Sequence, residues 1–172
     1  MIEGIVRVLI VTFVFVFISC GQSDKTNEIV TTINTENVVS QKDKKVEIAL
    51  TFINDYVDNS NKLNKAIGII EWVNSTSLTT QAFKIELKNI IDEAYKQDPE
   101  LGLGADPIVD AQDYPSKGFE LESIDEQTNL LIVKGKDMPE FKLTIKVVEE
   151  NGNWLVDGCG IVNIPKDKRA AR

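Results

Sequence analysis

Residues 142–160 read KLTIKVVEENGNWLVDGCG. Leu143, Ile145 and Val147, with Phe141 before them, fall on alternate positions, the period of a strand that buries one face. Asn151-Gly152 follows. A two-residue type I′ turn needs positive φ at both central positions, and Asn-Gly adopts them at little cost. Trp154, Val156 and Val162 then share one face of a last strand. The segment predicts a β-hairpin. Upstream, Gly118–Ile124 and Leu130–Lys134 read as two further strands joined by the polar turn Asp125–Asn129.

Before Gly104 the period changes. Val46, Ala49, Leu50, Ile53 and Val57 recur at helical spacing, with Phe52 and Tyr56 beside them. Asp43 is placed to cap this helix and Asn59-Ser60-Asn61 to end it. A second short helix fits Lys65–Val73, with Ile67, Ile70 and Val73 as its apolar stripe and Asn74–Ser77 as its break. Thr79 or Thr80 caps a third, which turns Phe83, Leu87, Ile90, Ile91 and Ala94 inward and stops at Asp98-Pro99. Helices followed by strands define an α+β order. The expectation is three N-terminal helices packed on a curved antiparallel sheet of about four strands, spanning residues 43–165.

The chain has 172 residues, suited to one domain, and carries 27 acidic against 19 basic residues for a net charge of −8. No basic stripe marks a nucleic-acid surface, so nucleic acid is not an expected partner. Histidine is absent. That excludes Ser-His-Asp and Cys-His nucleophile systems within the chain and removes the commonest zinc ligand. The two cysteines, Cys20 and Cys159, form no CxxC pair, and neither a metal nor another cofactor is expected.

Cys20 closes an apolar run, Val8–Ile18, that is preceded by Arg7. The run suits a signal-peptide core, whereas a spanning helix needs about 20 residues. Phe17-Ile18-Ser19-Cys20 resembles the bacterial lipobox, with Phe17 where Leu is usual. The resemblance implies that residues 1–19 are removed and Cys20 is lipidated, with further acylation of the new amino terminus. One acyl chain alone anchors only marginally. Gly21 is not the Asp of an inner-membrane retention signal, so a cell-envelope location follows, at the outer membrane where the cell has two. Residues 20–42 are polar and read as a flexible tether, and residues 166–172 as a frayed polar tail.

The segments "VEIALTFINDYV", "SLTTQAF", "GADPIVDAQDYP" and "KLTIKVVEENGNWLVDGCG" resemble the nuclear transport factor 2-like, cystatin-like superfamily, and more closely the domain of unknown function 3828 family of bacterial envelope proteins. The likeness covers about Val46 to Pro165. It implies a cone-shaped cystatin-like fold whose helices leave a conical cavity over the sheet. Some members of the superfamily are isomerases or dehydratases that use Asp, Tyr or His in the cone. The closer family carries no activity to transfer.

Three carboxylates, Asp106, Asp110 and Asp113, would share a face if their segment were helical. They could then hold a hard cation or raise one carboxyl pKa for acid–base work. The structural alternative is that Asp106 caps a turn before Pro107 and Asp113 opens one before Tyr114-Pro115. Gln112, in the same stretch, joins them as a candidate binding residue. Tyr56, Trp72, Tyr95 and Trp154 are candidates to line a cavity, against the plainer reading that they build core. By strand alternation Asp157 points away from Trp154. Cys159, between two glycines, reads as a small buried side chain at a close backbone approach.

No catalytic residue stands out. The functional expectation is a lipid-anchored, non-catalytic binding or accessory module for a small ligand or protein partner. The alternatives are a small carboxylate-dependent isomerase or hydrolase, and an inhibitor or immunity protein against an envelope-active toxin.

Overall fold

The computed structural model describes residues 25–171, with side chains from Gln41 onward. Its elements run α1 (Lys25–Ser60), a 3-10 turn (Leu63–Lys65), α2 (Ile69–Ser75), α3 (Gln81–Gln97), β1 (Phe119–Asp125), β2 (Leu130–Gly135), β3 (Lys142–Glu150), β4 (Asn153–Cys159) and a 3-10 turn (Lys166–Lys168). The fold is α+β, as the order of periods predicts. The sheet is antiparallel and open, in the order β1-β2-β3-β4.

α1 crosses the sheet and touches all four strands. Ala49, Phe52, Ile53, Tyr56 and Val57 form its buried stripe. They pack against Leu131 and Val133 of β2, Leu143, Ile145 and Val147 of β3, and Val156 and Cys159 of β4, all in one cluster. Each such large apolar side chain contributes about 1.5–3 kcal/mol when fully buried. Phe52, Ile53, Leu131, Leu143 and Ile145 are at most 1% exposed, and they form the packed interface between α1 and the sheet.

Asn151 and Gly152 have φ of 52° and 78°, the two positive values a type I′ turn requires. β1 and β4 each carry a register shift. Asp157 is the extra residue of β4, because Lys146 faces Gly158 while Val147 faces Val156. Beyond β4, the chain turns at Gly160 (φ 61°), where a Cβ would overlap the carbonyl oxygens of Pro107 and Ile108. The free side of β4 is lined by residues 78–80, since Val156 N donates to Leu78 O (2.8 Å) and Thr80 N to Val156 O (3.0 Å). Side-chain amides splice α1 to two other segments. Asn54 accepts from Phe119 N (2.7 Å) and donates to Phe119 O (3.2 Å). Asn59 does the same to both backbone groups of Ile67.

Several boundaries move. α1 begins at Lys25, not near Asp43, because no Gly or Pro interrupts residues 25–60. Asp43 therefore lies inside the helix, and residues 25–42, expected as flexible tether, have helical backbone. Among the residues whose side chains are described, Lys45 is the first buried one. α2 starts at Ile69, because Leu63 takes a positive φ and the chain stays extended to Gly68. Ile67 thus falls off the helix and is exposed. Val162 lies past β4 on a return turn, bonded in both directions to Cys159. The tail is not frayed through Lys168, whose carbonyl accepts from the buried Thr144 hydroxyl (3.0 Å). Among the described residues no helix is long and apolar enough to cross a membrane. Cys20 and the expected signal peptide lie outside the described residues.

Candidate functional site

Two places gather the residues that the sequence singles out. The first is built from α1 and the 106–111 turn. Tyr56 sits one turn after Phe52 on the buried stripe, and its hydroxyl donates to Asp106 Oδ2. The other carboxylate oxygen, Oδ1, accepts from the backbone N–H of Ile108 (2.7 Å) and Val109 (3.2 Å). A reciprocal backbone pair, Asp106 N to Ala111 O (2.9 Å) and Ala111 N to Asp106 O (3.3 Å), closes the turn. The Cys159 thiol meets Ile108 O at 3.4 Å, and Ile161 N donates to Pro107 O at 2.9 Å. The GADPIV and GCG stretches, far apart in sequence, are thus packed together.

Trp72 meets Tyr56 edge-on, with ring centroids 5.0 Å apart. Phe52 lies 5.5 Å from Trp72 and from Phe83. Burial pushes the Tyr56 hydroxyl well above the ordinary phenol range, and the Asp106 charge adds to the push. Burial also raises the Asp106 carboxyl, while the bonds from Tyr56, Ile108 and Val109 pull the other way. Both groups are engaged, and Tyr56 keeps its proton at neutral pH.

The three aspartates do not share a face. Their segment is a turn, not a helix, because Asp110 adopts φ 53° and Ala111 returns to pair with Asp106. Asp106 faces inward and Asp113 is exposed. Among the described residues no group of carboxylates and thiols could hold a metal ion. Gln112 serves the same loop, donating from Nε2 to Gly104 O (2.9 Å). Tyr95 stands apart on α3, 52% exposed, with its ring under Gly102, which has no Cβ to displace it.

The second place surrounds Trp154. A groove of about 420 Å³ is lined by Ile48 of α1, Ser77 and Leu78 before α3, and Glu150, Asn151, Asn153, Trp154 and Leu155 of the terminal hairpin. The indole is held from α1. Its Nε1 donates to Gln41 Oε1 (2.7 Å), and Lys45 Nζ stands 4.7 Å from the ring centre. Lys45 is only 9% exposed, so its stem packs while its charge meets the ring. A smaller groove of about 140 Å³ lies between α2 and α3, lined by Ile70, Val73, Ile85 and Lys88 among others.

Asp157 faces away from the groove, as alternation predicts. It accepts from Lys146 Nζ (2.9 Å) and from the Thr80 hydroxyl (2.9 Å), and Thr80 in turn caps α3 at Phe83 N (3.0 Å). The sequence reading missed the bridging roles of Asn54 and Asn59. Their one signal was an amide interrupting an otherwise apolar helix face. No family profile, curated protein or solved structure matches the chain.

Proposed function

We propose that this chain is a lipid-anchored cell-envelope protein whose α+β domain is a non-catalytic binding or accessory module, with its ligand seated beside Trp154. The observation that carries the reading is the groove itself. Its volume, about 420 Å³, falls in the range of small-molecule sites, and both apolar and hydrogen-bonding side chains line it. The anchor rests on Phe17-Ile18-Ser19-Cys20, and Gly21 in place of Asp after the cysteine favours the outer membrane where the cell has two membranes.

An isomerase or hydrolase would draw on Tyr56 and Asp106, the acid–phenol pair of this fold. Their bonding favours a structural role instead. Each oxygen of Asp106 already accepts a hydrogen bond, and Tyr56 spends its one donor on Oδ2.

Two measurements test the proposal. Cells grown with a fatty-acid analogue should label the parent and not Cys20→Ala; equal labelling would remove the anchor. In a thermal melt of the full chain against a panel of envelope-derived small molecules, at least one should stabilise the parent by mass action and leave Trp154→Ala unmoved. Equal protection of both proteins would place the ligand elsewhere.

A further inference from the structure

We infer that the groove beside Trp154 takes a neutral oligosaccharide; the inference rests on the binding-module reading and adds the ligand class. A pyranose ring is amphipathic. It has a face of C–H bonds that stacks on an aromatic plane and a rim of hydroxyls that both donate and accept. The groove offers the complement of each. The Trp154 indole is its aromatic wall, with Ile48, Leu78 and Leu155 beside it. Ser77, Asn151 and Asn153 carry neutral groups that donate and accept, and Glu150 accepts.

The main chain adds two more groups. Val156 directs its N–H and C=O away from β3, toward Leu78 and Thr80. Trp154 lies two residues earlier in the same register, so its N–H and C=O point to the same side. The wall is also prepared in advance. Lys45 and Gln41 fix the indole from α1, so little ordering is left to oppose binding.

Charge and space argue against other occupants. Among the described residues Glu150 is the one charged side chain that lines the groove, and the Lys45 ammonium is already engaged on the Trp154 ring, so an anionic ligand meets the Glu150 carboxylate directly. A peptide that adds as a strand finds the side of β4 already taken at Val156 by residues 78–80, which leaves it the two groups of Trp154.

The test uses the full chain in detergent micelles and follows the indole N–H resonances by NMR, with that of Trp154 assigned by its loss in Trp154→Phe. The probes are a chitin tetrasaccharide, a cellulose tetrasaccharide and an extended Thr-Val repeat peptide. At least one saccharide should shift the Trp154 resonance saturably. Its affinity should fall about tenfold or more in Trp154→Ala, as for an aromatic anchor, and severalfold in Asn153→Ala, whose side chain is exposed and leaves the melting temperature in place. No saturable shift with either saccharide, or affinity unchanged in both variants, overturns the proposal. If only the peptide binds, and does so through Trp154, the saccharide class falls and the groove stands as a binding site. If no probe binds through Trp154, both readings fall.

Discussion

Replacing Asp106 by alanine strands three donors at once. The Ile108 and Val109 N–H groups lose the acceptor that holds the turn, and the Tyr56 hydroxyl, on a residue 5% exposed, loses its partner in the core. Loss of a cap-type acceptor costs about 1 kcal/mol, and an unsatisfied buried hydroxyl a further ~1–3 kcal/mol. The expected loss is about 2–4 kcal/mol, which lowers the melting temperature by roughly 5–15 °C for a domain of this size. Tyr56→Phe removes only the phenolic hydroxyl and should cost about 1–2 kcal/mol. Since the two residues share one bond, the double variant should cost less than the sum of the singles, by at least about 0.5 kcal/mol. Urea denaturation of the four proteins measures this. The pH dependence is a second check. The Asp106 carboxyl is raised by burial in the folded chain, so its protonation favours the fold. That contribution is full below the ordinary aspartate range and is lost as pH rises through the raised value. Asp106→Asn should therefore flatten the fall in stability over that window while keeping an acceptor for the turn. An alanine variant that melts with the parent would refute a structural role for this pair, and parallel pH curves for parent and Asn variant would refute the burial-raised carboxyl.

Gly160→Ala should cost more than about 3 kcal/mol, since a Cβ at φ 61° would drive into the Pro107 and Ile108 carbonyls; a soluble, cooperative melt near that of the parent would contradict it. Asn54→Ala should cost about 1–3 kcal/mol, because both backbone groups of Phe119 lose their partner, and amide exchange at Phe119 should accelerate. A chain that begins at Lys42 should still fold, with circular dichroism showing both helix and strand, because the buried stripe of α1 runs from Ala49 to Val57. It should melt slightly lower, having lost the Gln41 bond to Trp154, and an unfolded spectrum would show that the packed unit extends further back.

The strands, the Asn151-Gly152 turn and a threonine cap at residue 79 or 80, which the structure places at Thr80, were legible because each depends on period or on local backbone geometry. Phe83 and Leu87 turned inward for the same reason. The start of α1 was misplaced because composition speaks to whether a segment can build a core, not to whether its backbone coils. Residues 25–42 carry only scattered Ile and Val among polar side chains, but they also lack helix breakers. The aspartate turn was half legible. Asp106 before proline signalled a cap, but helical spacing was the wrong frame for Asp110 and Asp113, since a positive φ at residue 110 breaks it. Tyr56 and Asp106 could both be named from the chain, yet their pairing depends on where the turn lies against α1. Trp154 was named, but its fixed orientation comes from Gln41 and Lys45, polar residues that no periodic argument would select.

The stripe on α1 has a consequence for the order in which this molecule can be made. Asn54 reaches Phe119 across 65 residues, Tyr56 reaches Asp106 across 50, and Gln41 reaches Trp154 across 113. During synthesis the helix leaves the ribosome long before the strands that cover it exist. Much of its apolar side stays uncovered until the last hairpin emerges, because β3 and β4 supply a large share of the opposing surface. Partners so distant in the chain also make for slow closure. A chain of this kind completes its core only when its final strand has emerged.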